Sequence, residues 1–156
     1  MAEVPADAFV SQRGGPTTGM PTKTEQSDLN LAVFGVAGDG QRIVLAPTNV
    51  EGCYKCAGKA FEMAEKFQTP VIVLLELYLS NRYEAVQLPA KNPFAADCSK
   101  APRRTASQAE YNRYQLTGDG VSPRAVPGEP ARMHTVTGLE HDERGRPSDQ
   151  PHIHPA

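Results

Sequence analysis

The amino-acid sequence predicts an α/β protein, in which a partial parallel sheet with flanking helices is followed by an extended tail rich in proline and glycine. Two segments with helical periodicity alternate with short apolar runs, as expected of parallel strands joined by right-handed helical crossovers. Beyond residue 90 the apolar periodicity fades. We therefore predict an α/β core over residues 1–90 and a largely irregular tail over residues 91–156.

The first predicted element is a poor strand over residues 4–11, because Asp7 interrupts its apolar side chains. The following stretch, residues 12–29, reads Q-R-G-G-P-T-T-G-M-P-T-K-T-E-Q-S-D-L. Proline fixes the backbone angle φ and glycine permits positive φ. This spacing predicts a loop of defined backbone shape and not a flexible linker.

The loop is a candidate cradle for a small anion. Arg13 lies at its mouth, and a guanidinium offers two parallel donors that match a carboxylate or a phosphate. Thr22, with Glu25 three residues later, has the capping-box pattern of a helix that ends at Gly35. The N–H groups of that helix terminus would also favour an anion. The residues leave two interpretations open, an anion site or a helix cap beside a solvent-exposed arginine.

The next elements are a strand over residues 42–47, a helix, and a strand over residues 71–75. Thr48 and Glu51 form a second predicted capping box, and the helix ends before Pro70 because a residue preceding proline avoids the helical region. The continuous run V-I-V-L-L predicts a strand covered on both faces. The helix has one apolar stripe, formed by Val50, Cys53, Ala57, Ala60, Phe61 and Ala64.

Glu76 follows the last apolar strand at its carboxyl end, where ligands bind in parallel α/β folds. A surface position is the simpler interpretation. Farther along, residues 81–90 suggest an extended piece and residues 108–116 a short helix.

Cys53 and Cys56 form a C-x-x-C pair, which suggests a redox pair, half of a metal site, or buried structural cysteines. Cys98 is the only other cysteine, and Cys53 falls on the apolar stripe, so we favour the structural interpretation. The histidines lie in the irregular tail, which favours no fixed metal site: His134, His141, His152 and His154.

Composition excludes several classes of protein. The net charge of −2 and the pI near 6.1 give no electrostatic footprint for nucleic acid. No apolar run approaches the roughly 20 residues that span a membrane, and no signal peptide begins the chain. Three cysteines without an export signal predict a cytoplasmic location.

The loop sequence closely resembles that of the alpha subunit of 2-oxoacid:ferredoxin oxidoreductases, above all the 2-oxoglutarate type. The likeness continues, in the same order, through R-I-V-L-A-P-T-N-V-E-G-C, A-F-E-M-A-E-K-F-Q-T-P-V-I-V-L, Y-L-S-N-R and V-T-G-L-E-H-D-E-R-G-R-P-S. This resemblance implies that the chain forms part of the domain that binds the pyrimidine of thiamine diphosphate. Enzymes of this family decarboxylate a 2-oxoacid, reduce ferredoxin and transfer the acyl group to coenzyme A.

The resemblance implies that Arg13 contacts the carboxylate or keto oxygen of the substrate and that Thr22 lies near the substrate's side chain. The remaining loop would shape the pocket through its backbone, and this part consists of Gly14, Gly15, Pro16, Thr17, Thr18 and Gly19. A beta subunit would hold the diphosphate, its magnesium and an iron–sulfur cluster. This chain alone would bind no cofactor or metal.

Two hallmarks of the family do not occur in these 156 residues. They are a Y-P-I-T-P stretch, whose threonine also touches substrate, and the glutamate that activates the thiamine pyrimidine. The expectation is a truncated alpha subunit that is inactive alone and holds no catalytic residue. The alternative is a non-catalytic interaction or assembly fragment that docks on a partner subunit.

Overall fold

The computed structural model describes residues 3–87, 111–125 and 127–153, and the chain divides into two compact units. One unit is Val4–Ala101, and the other combines Met1–Glu3 with Pro102–Ala156. The predicted domain boundary between residues 90 and 91 lies outside the described residues, so the proposed division into a core and a tail stays a prediction.

The helices and strands of the described residues all belong to the unit Val4–Ala101. They are β1 (Ala6–Gln12), α1 (Asp28–Phe34), β2 (Ile43–Leu45), α2 (Val50–Phe67), β3 (Pro70–Glu76) and α3 (Leu77–Ser80). The strands form a parallel sheet in the order β1-β3-β2, with Gln12 paired to Glu76 and Leu45 to Val73. The predicted α/β fold with a partial parallel sheet is therefore confirmed.

The core lies between α2 and β3. Ala60, Ala64, Val71 and Val73 are almost completely buried. The two alanines let the helix approach the sheet closely, while the valines of β3 alternate toward it with the period of a strand. Partly buried apolar side chains surround this cluster, namely Ile43, Leu45, Cys56, Met63 and Leu75.

Strand β1 forms although Asp7 interrupts its apolar side chains. It lies at an edge of the described sheet, so Asp7 is only half-buried, although its Oδ1 atom is buried without a hydrogen-bond partner among the described residues. Burial, with the nearby charge of Glu65 adding to it, raises the pKa of Asp7. The edge position explains why this polar residue does not prevent the strand.

Both predicted capping boxes are wrong. Helix α1 begins at Asp28, six residues after Thr22, because residues 20–23 close a turn onto Gly14. Its N-cap residue is Ser27, whose side chain caps nothing. Helix α2 is capped by Asn49 and not by Thr48: the Asn49 Oδ1 atom accepts a hydrogen bond of 2.7 Å from the Gly52 N–H.

Helix α2 ends in a left-handed residue. Gln68 has φ of +51° and reverses the chain, so that Pro70 can begin β3. The helix therefore ends before the proline, as predicted. Residues 82–87 belong to no strand, which leaves the predicted extended piece without a partner there; its residues 88–90 lie outside the described ranges.

In the other unit, the described residues form turns and an isolated bridge between His141 and Pro147, but no helix or strand. Of the predicted helix over residues 108–116, only residues 111–116 are described, and they contain a turn. The centre of this unit is Arg113, which is 4% exposed. Its guanidinium lies 2.8 Å from the Glu3 carboxylate and also donates to the Pro123 carbonyl oxygen.

Candidate functional site

A cleft of about 300 Å³ opens at the carboxyl ends of the three parallel strands. Gln12 ends β1, Thr48 lies three residues beyond β2, and Glu76 ends β3. Ligands of parallel α/β sheets bind at this edge. The full lining is Gln12, Gln26, Ala46, Pro47, Thr48, Leu74, Glu76, Tyr78, Leu79 and Arg82.

Gln12 is the most deeply buried polar residue of this lining. It is 5% exposed, and its Nε2 atom is buried without a hydrogen-bond partner in the described structure. The sequence does not single out this residue, because a neutral amide beside Arg13 and the glycines carries no distinctive pattern. Its one sequence signal was weak: it directly follows the predicted strand over residues 4–11, and the end of a parallel strand lies at the ligand-binding edge.

Helix α3, which sequence reasoning also missed, forms one wall of the cleft through Tyr78 and Leu79. Arg82, just beyond the helix, lines the cleft and lies 3.7 Å from Glu84. The Glu84 carboxylate in turn accepts a hydrogen bond from the Val50 N–H at the start of α2. These contacts link the wall after β3 to the helix after β2.

The loop after β1 has the defined backbone that its sequence predicts. The Gly14 N–H donates to the Lys23 carbonyl oxygen and the Met20 N–H donates to the Gly14 carbonyl oxygen, at 3.0 and 2.9 Å. Gly19 has φ of +43°, and a Cβ atom there would lie 2.3 Å from the Gly14 carbonyl oxygen. Only glycine fits this position.

One donor of the loop already binds a carboxylate. The Gly15 N–H donates a hydrogen bond of 3.2 Å to Glu25 Oε2, so part of the loop's preference for an anion is met from within the chain. The short α1 begins beyond the loop, and Asp28 occupies its first turn. A helix starting at Thr22 does not form, so the N–H groups predicted to favour an anion at that position do not belong to a helix terminus.

The structure brings the candidate Glu76 into the cleft but not the residues predicted to bind substrate. Arg13 follows β1 and is half-buried, while Thr22 is exposed, and neither belongs to the lining. Arg13 makes no hydrogen bond or ion pair within the described part of the chain. In the pocket-shaping segment, Gly14 is buried and the others are exposed, namely Gly15, Pro16, Thr17, Thr18 and Gly19.

The C-x-x-C pair lies on α2, where Cys53 and Cys56 are half-buried free thiols. Burial raises the pKa of both thiols, so the reactive thiolate is disfavoured at each position. Across the described residues, no three or more His, Cys, Asp or Glu side chains are grouped so that they could hold a metal ion. Cys98 and His154 lie outside those residues.

In the other unit, the segment H-D-E-R-G-R folds into a tight turn. The Asp142 carboxylate accepts hydrogen bonds of 2.9 Å from the N–H groups of Arg144 and Arg146. The hydrogen bond from the Arg146 N–H has the largest effect and lowers the pKa of Asp142, and the bond from the Arg144 N–H lowers it further. Gly145 has φ of +81°, where a Cβ atom would lie 2.4 Å from the Thr135 carbonyl oxygen.

None of the helices in the described ranges has the length and apolar character to cross a membrane.

Comparison with known proteins adds independent findings. Residues 1–154 match the family described as pyruvate flavodoxin/ferredoxin oxidoreductase, thiamine diphosphate-binding. The chain is 39% identical over 150 residues to subunit alpha of 2-oxoacid:ferredoxin oxidoreductase 2 from Aeropyrum pernix, covering 96% of this chain and 23% of that protein. It is 35% identical over 147 residues to the KorA subunit of 2-oxoglutarate synthase from Methanothermobacter marburgensis, covering 94% and 38%.

A solved structure shares the fold. It is the 2-oxoglutarate:ferredoxin oxidoreductase from Magnetococcus marinus with 2-oxoglutarate, coenzyme A and succinyl-CoA bound. The TM-score is 0.83 at 40% sequence identity, with 98% of this chain and 26% of that chain covered. The chain thus spans between about a quarter and two fifths of the length of these relatives.

Proposed function

Because this chain belongs to the pyruvate flavodoxin/ferredoxin oxidoreductase, thiamine diphosphate-binding family, we propose that it works as part of the alpha subunit of a 2-oxoglutarate:ferredoxin oxidoreductase. The reaction is the oxidative decarboxylation of a 2-oxoacid. The 2-oxoacid and coenzyme A yield an acyl-CoA and carbon dioxide, and two electrons pass to ferredoxin. The relatives named above are alpha subunits of such enzymes, which supports the proposal.

The observation behind the proposal is the loop after β1. Backbone hydrogen bonds hold it in one shape at the ligand-binding edge of the sheet. Arg13, at the start of this loop, has no partner within the described residues. A half-buried guanidinium without a carboxylate retains its full capacity for two parallel hydrogen bonds to a ligand carboxylate.

In the proposed site, Arg13 binds the carboxylate or keto oxygen of the 2-oxoacid. Thr22 lies toward the side chain of the substrate and influences which 2-oxoacid is accepted. The backbone of residues 14–19 shapes the pocket between them. These residues bind and orient the substrate, and the chemical steps use groups outside these 156 residues.

The family takes thiamine diphosphate, which supplies the electron sink for decarboxylation when it is bound. The described residues offer no group of carboxylates for the magnesium that accompanies a diphosphate. The proposal places the diphosphate, the magnesium and the iron–sulfur cluster on a beta subunit, in a cytoplasmic complex.

A second function, docking on a partner subunit without catalysis, has one observation in its favour. Helix α1 exposes apolar side chains, with Leu31 65% and Phe34 79% exposed. In addition, β1 and β2 are the outer strands of the described sheet and have unpaired edges. Surfaces of this kind are usually covered by protein.

One experiment separates the two functions. The native complex of this chain is isolated from its own cells, its subunits are identified by mass spectrometry, and its ferredoxin reduction with 2-oxoglutarate and coenzyme A is measured. The proposed enzyme requires a co-purified beta-type subunit and substrate-dependent reduction. A complex that contains the beta-type subunit but shows no such reduction contradicts the enzyme and supports docking alone.

A further inference from the structure

Gln12 has an unused donor inside the candidate cleft. The side chain is 5% exposed, yet no atom in the described structure accepts a hydrogen bond from its Nε2. Buried amide groups of folded proteins almost always have partners. An unpaired one at the ligand-binding edge of a parallel sheet indicates that a ligand supplies the acceptor.

The lining around Gln12 favours a ligand rich in oxygen acceptors. Donors come from the amide of Gln26, the hydroxyl groups of Thr48 and Tyr78, and the guanidinium of Arg82. Glu76 is the one carboxylate of the lining, and the guanidinium of Arg82 lies 3.7 Å from the Glu84 carboxylate, so the neutral donors are the groups left to bind a ligand oxygen. A volume of about 300 Å³ suits a molecule of a few carbon atoms.

We propose that Gln12 is a substrate-binding residue whose Nε2 donates a hydrogen bond to a carboxylate or keto oxygen of the 2-oxoacid. This inference rests on the proposed function and extends it by one residue. Gln12 and Arg13 are consecutive, so their Cα atoms lie about 3.8 Å apart. Arg13 does not line the cleft, so in this proposal the 2-oxoacid extends from Gln12 inside the cleft toward the guanidinium of Arg13 outside the lining.

The neutral amide and the guanidinium have different tasks in this arrangement. Arg13 supplies the charge that attracts the anion, whereas Gln12 supplies a fixed direction, because its buried side chain has little freedom to move. The backbone ladder between β1 and β3 pairs Gln12 with Glu76 and fixes the position of the donor. Removing the donor should therefore weaken substrate binding without changing the fold.

The test uses three variants in the isolated complex. Gln12→Met keeps the length of the side chain and removes the donor, and Gln12→Glu keeps its shape and replaces the donor by a carboxylate. Gln41→Met is the control, since Gln41 is exposed and lies outside the cleft lining. The KM for 2-oxoglutarate should rise roughly tenfold in Gln12→Met and more in Gln12→Glu, because a hydrogen bond to a charged group is lost. An unchanged KM in Gln12→Met overturns the proposal.

A direct readout uses the isolated wild-type complex, with this chain isotope-labelled, and needs no variant to fold. The side-chain amide signals of Gln12 are assigned by nuclear magnetic resonance, and 2-oxoglutarate and thiamine diphosphate are added in separate titrations. The proposal requires that the Nε2 signals shift with 2-oxoglutarate. Signals that do not move, or that move with thiamine diphosphate only, overturn it.

The two proposals fail in different ways. If the wild-type complex does not reduce ferredoxin, the proposed function fails, and the titration of the complex still decides whether Gln12 binds a 2-oxoacid. If the complex is active and neither the KM nor the amide signals respond, the assignment of Gln12 fails alone.

Discussion

The hydroxyl groups of Ser11 and Ser80 lie 2.8 Å apart and join the end of β1 to α3. The Ser80 hydroxyl also lies 3.1 Å from the Glu76 carbonyl oxygen, to which it donates. Since a hydroxyl has a single hydrogen to donate, Ser11 is the donor between the two serines. This bond connects the strand that bears Gln12 to the helix whose residues Tyr78 and Leu79 line the cleft.

The variant Ser80→Ala tests this connection. It removes both hydrogen bonds, and the free energy of unfolding should fall by about 1 kcal/mol because the bonds are exposed to water. Urea denaturation measures the change. Ser27→Ala is the matched control, since the Ser27 side chain caps nothing, and it should change stability by much less. Equal losses in the two variants would show that the serine pair contributes nothing.

The start of α2 gives a second prediction. Asn49→Ala removes the side chain that accepts from the Gly52 N–H and should lower the free energy of unfolding by about 1 kcal/mol. Thr48→Ala should cost less, because Thr48 is not the N-cap residue. Thermal melting of the two variants compares them. A larger loss of stability in Thr48→Ala than in Asn49→Ala would support the capping box that the sequence predicts.

The loop backbone gives a third prediction. In Gly19→Ala the new Cβ atom would collide with the Gly14 carbonyl oxygen, and positive φ is costly for alanine. The loop should rearrange at a cost of about 1–3 kcal/mol. Ferredoxin reduction by the complex should fall accordingly. Gly118→Ala is the control, because a Cβ atom there meets no atom within 4 Å; activity retained in Gly19→Ala would show that the loop shape is unimportant.

The turn around Asp142 gives a prediction for how its stability changes at low pH. The folded chain lowers the pKa of Asp142, so its contribution to stability is present above the unfolded value of about 3.9. That contribution is lost as the pH falls through the lower, folded value. The protection of the Arg146 amide hydrogen against exchange, relative to its intrinsic rate at the same pH, should fall below about pH 4. Asp142→Asn should remove this dependence while Asp149→Asn keeps it; an Arg146 amide that is equally protected at pH 2 and pH 6 would contradict the prediction.

The fold of the Val4–Ala101 unit was readable from local patterns. The apolar run that became β3 and the single stripe of α2 led to the correct order of elements, because these residues form the buried core. The helix starts were misjudged because several residues near each start can cap. Which of them does so depends on the turn before it: the closure of residues 20–23 onto Gly14 delays α1 to Asp28.

The candidate site was only partly predictable. The loop sequence predicts a role for Arg13, since a cation among glycine and proline is a local signal, and that role stays a prediction because Arg13 does not line the cleft. Gln12 gave no such signal, because its importance comes from burial at the end of β1 and from a missing partner, which are tertiary properties. The walls formed by Tyr78 and Arg82 depend likewise on α3, a helix of four residues without a periodic pattern.

The most direct test of the central claim, that Arg13 binds the 2-oxoacid, is the steady-state kinetics of Arg13→Lys in the isolated complex. A lysine keeps the charge and loses the two parallel donors. The value of kcat/KM for 2-oxoglutarate should therefore fall roughly a hundredfold, in the range seen when one preorganised donor is removed. Arg124→Lys, in the other unit, serves as the control and should stay close to wild type. Wild-type kinetics in Arg13→Lys would contradict the account.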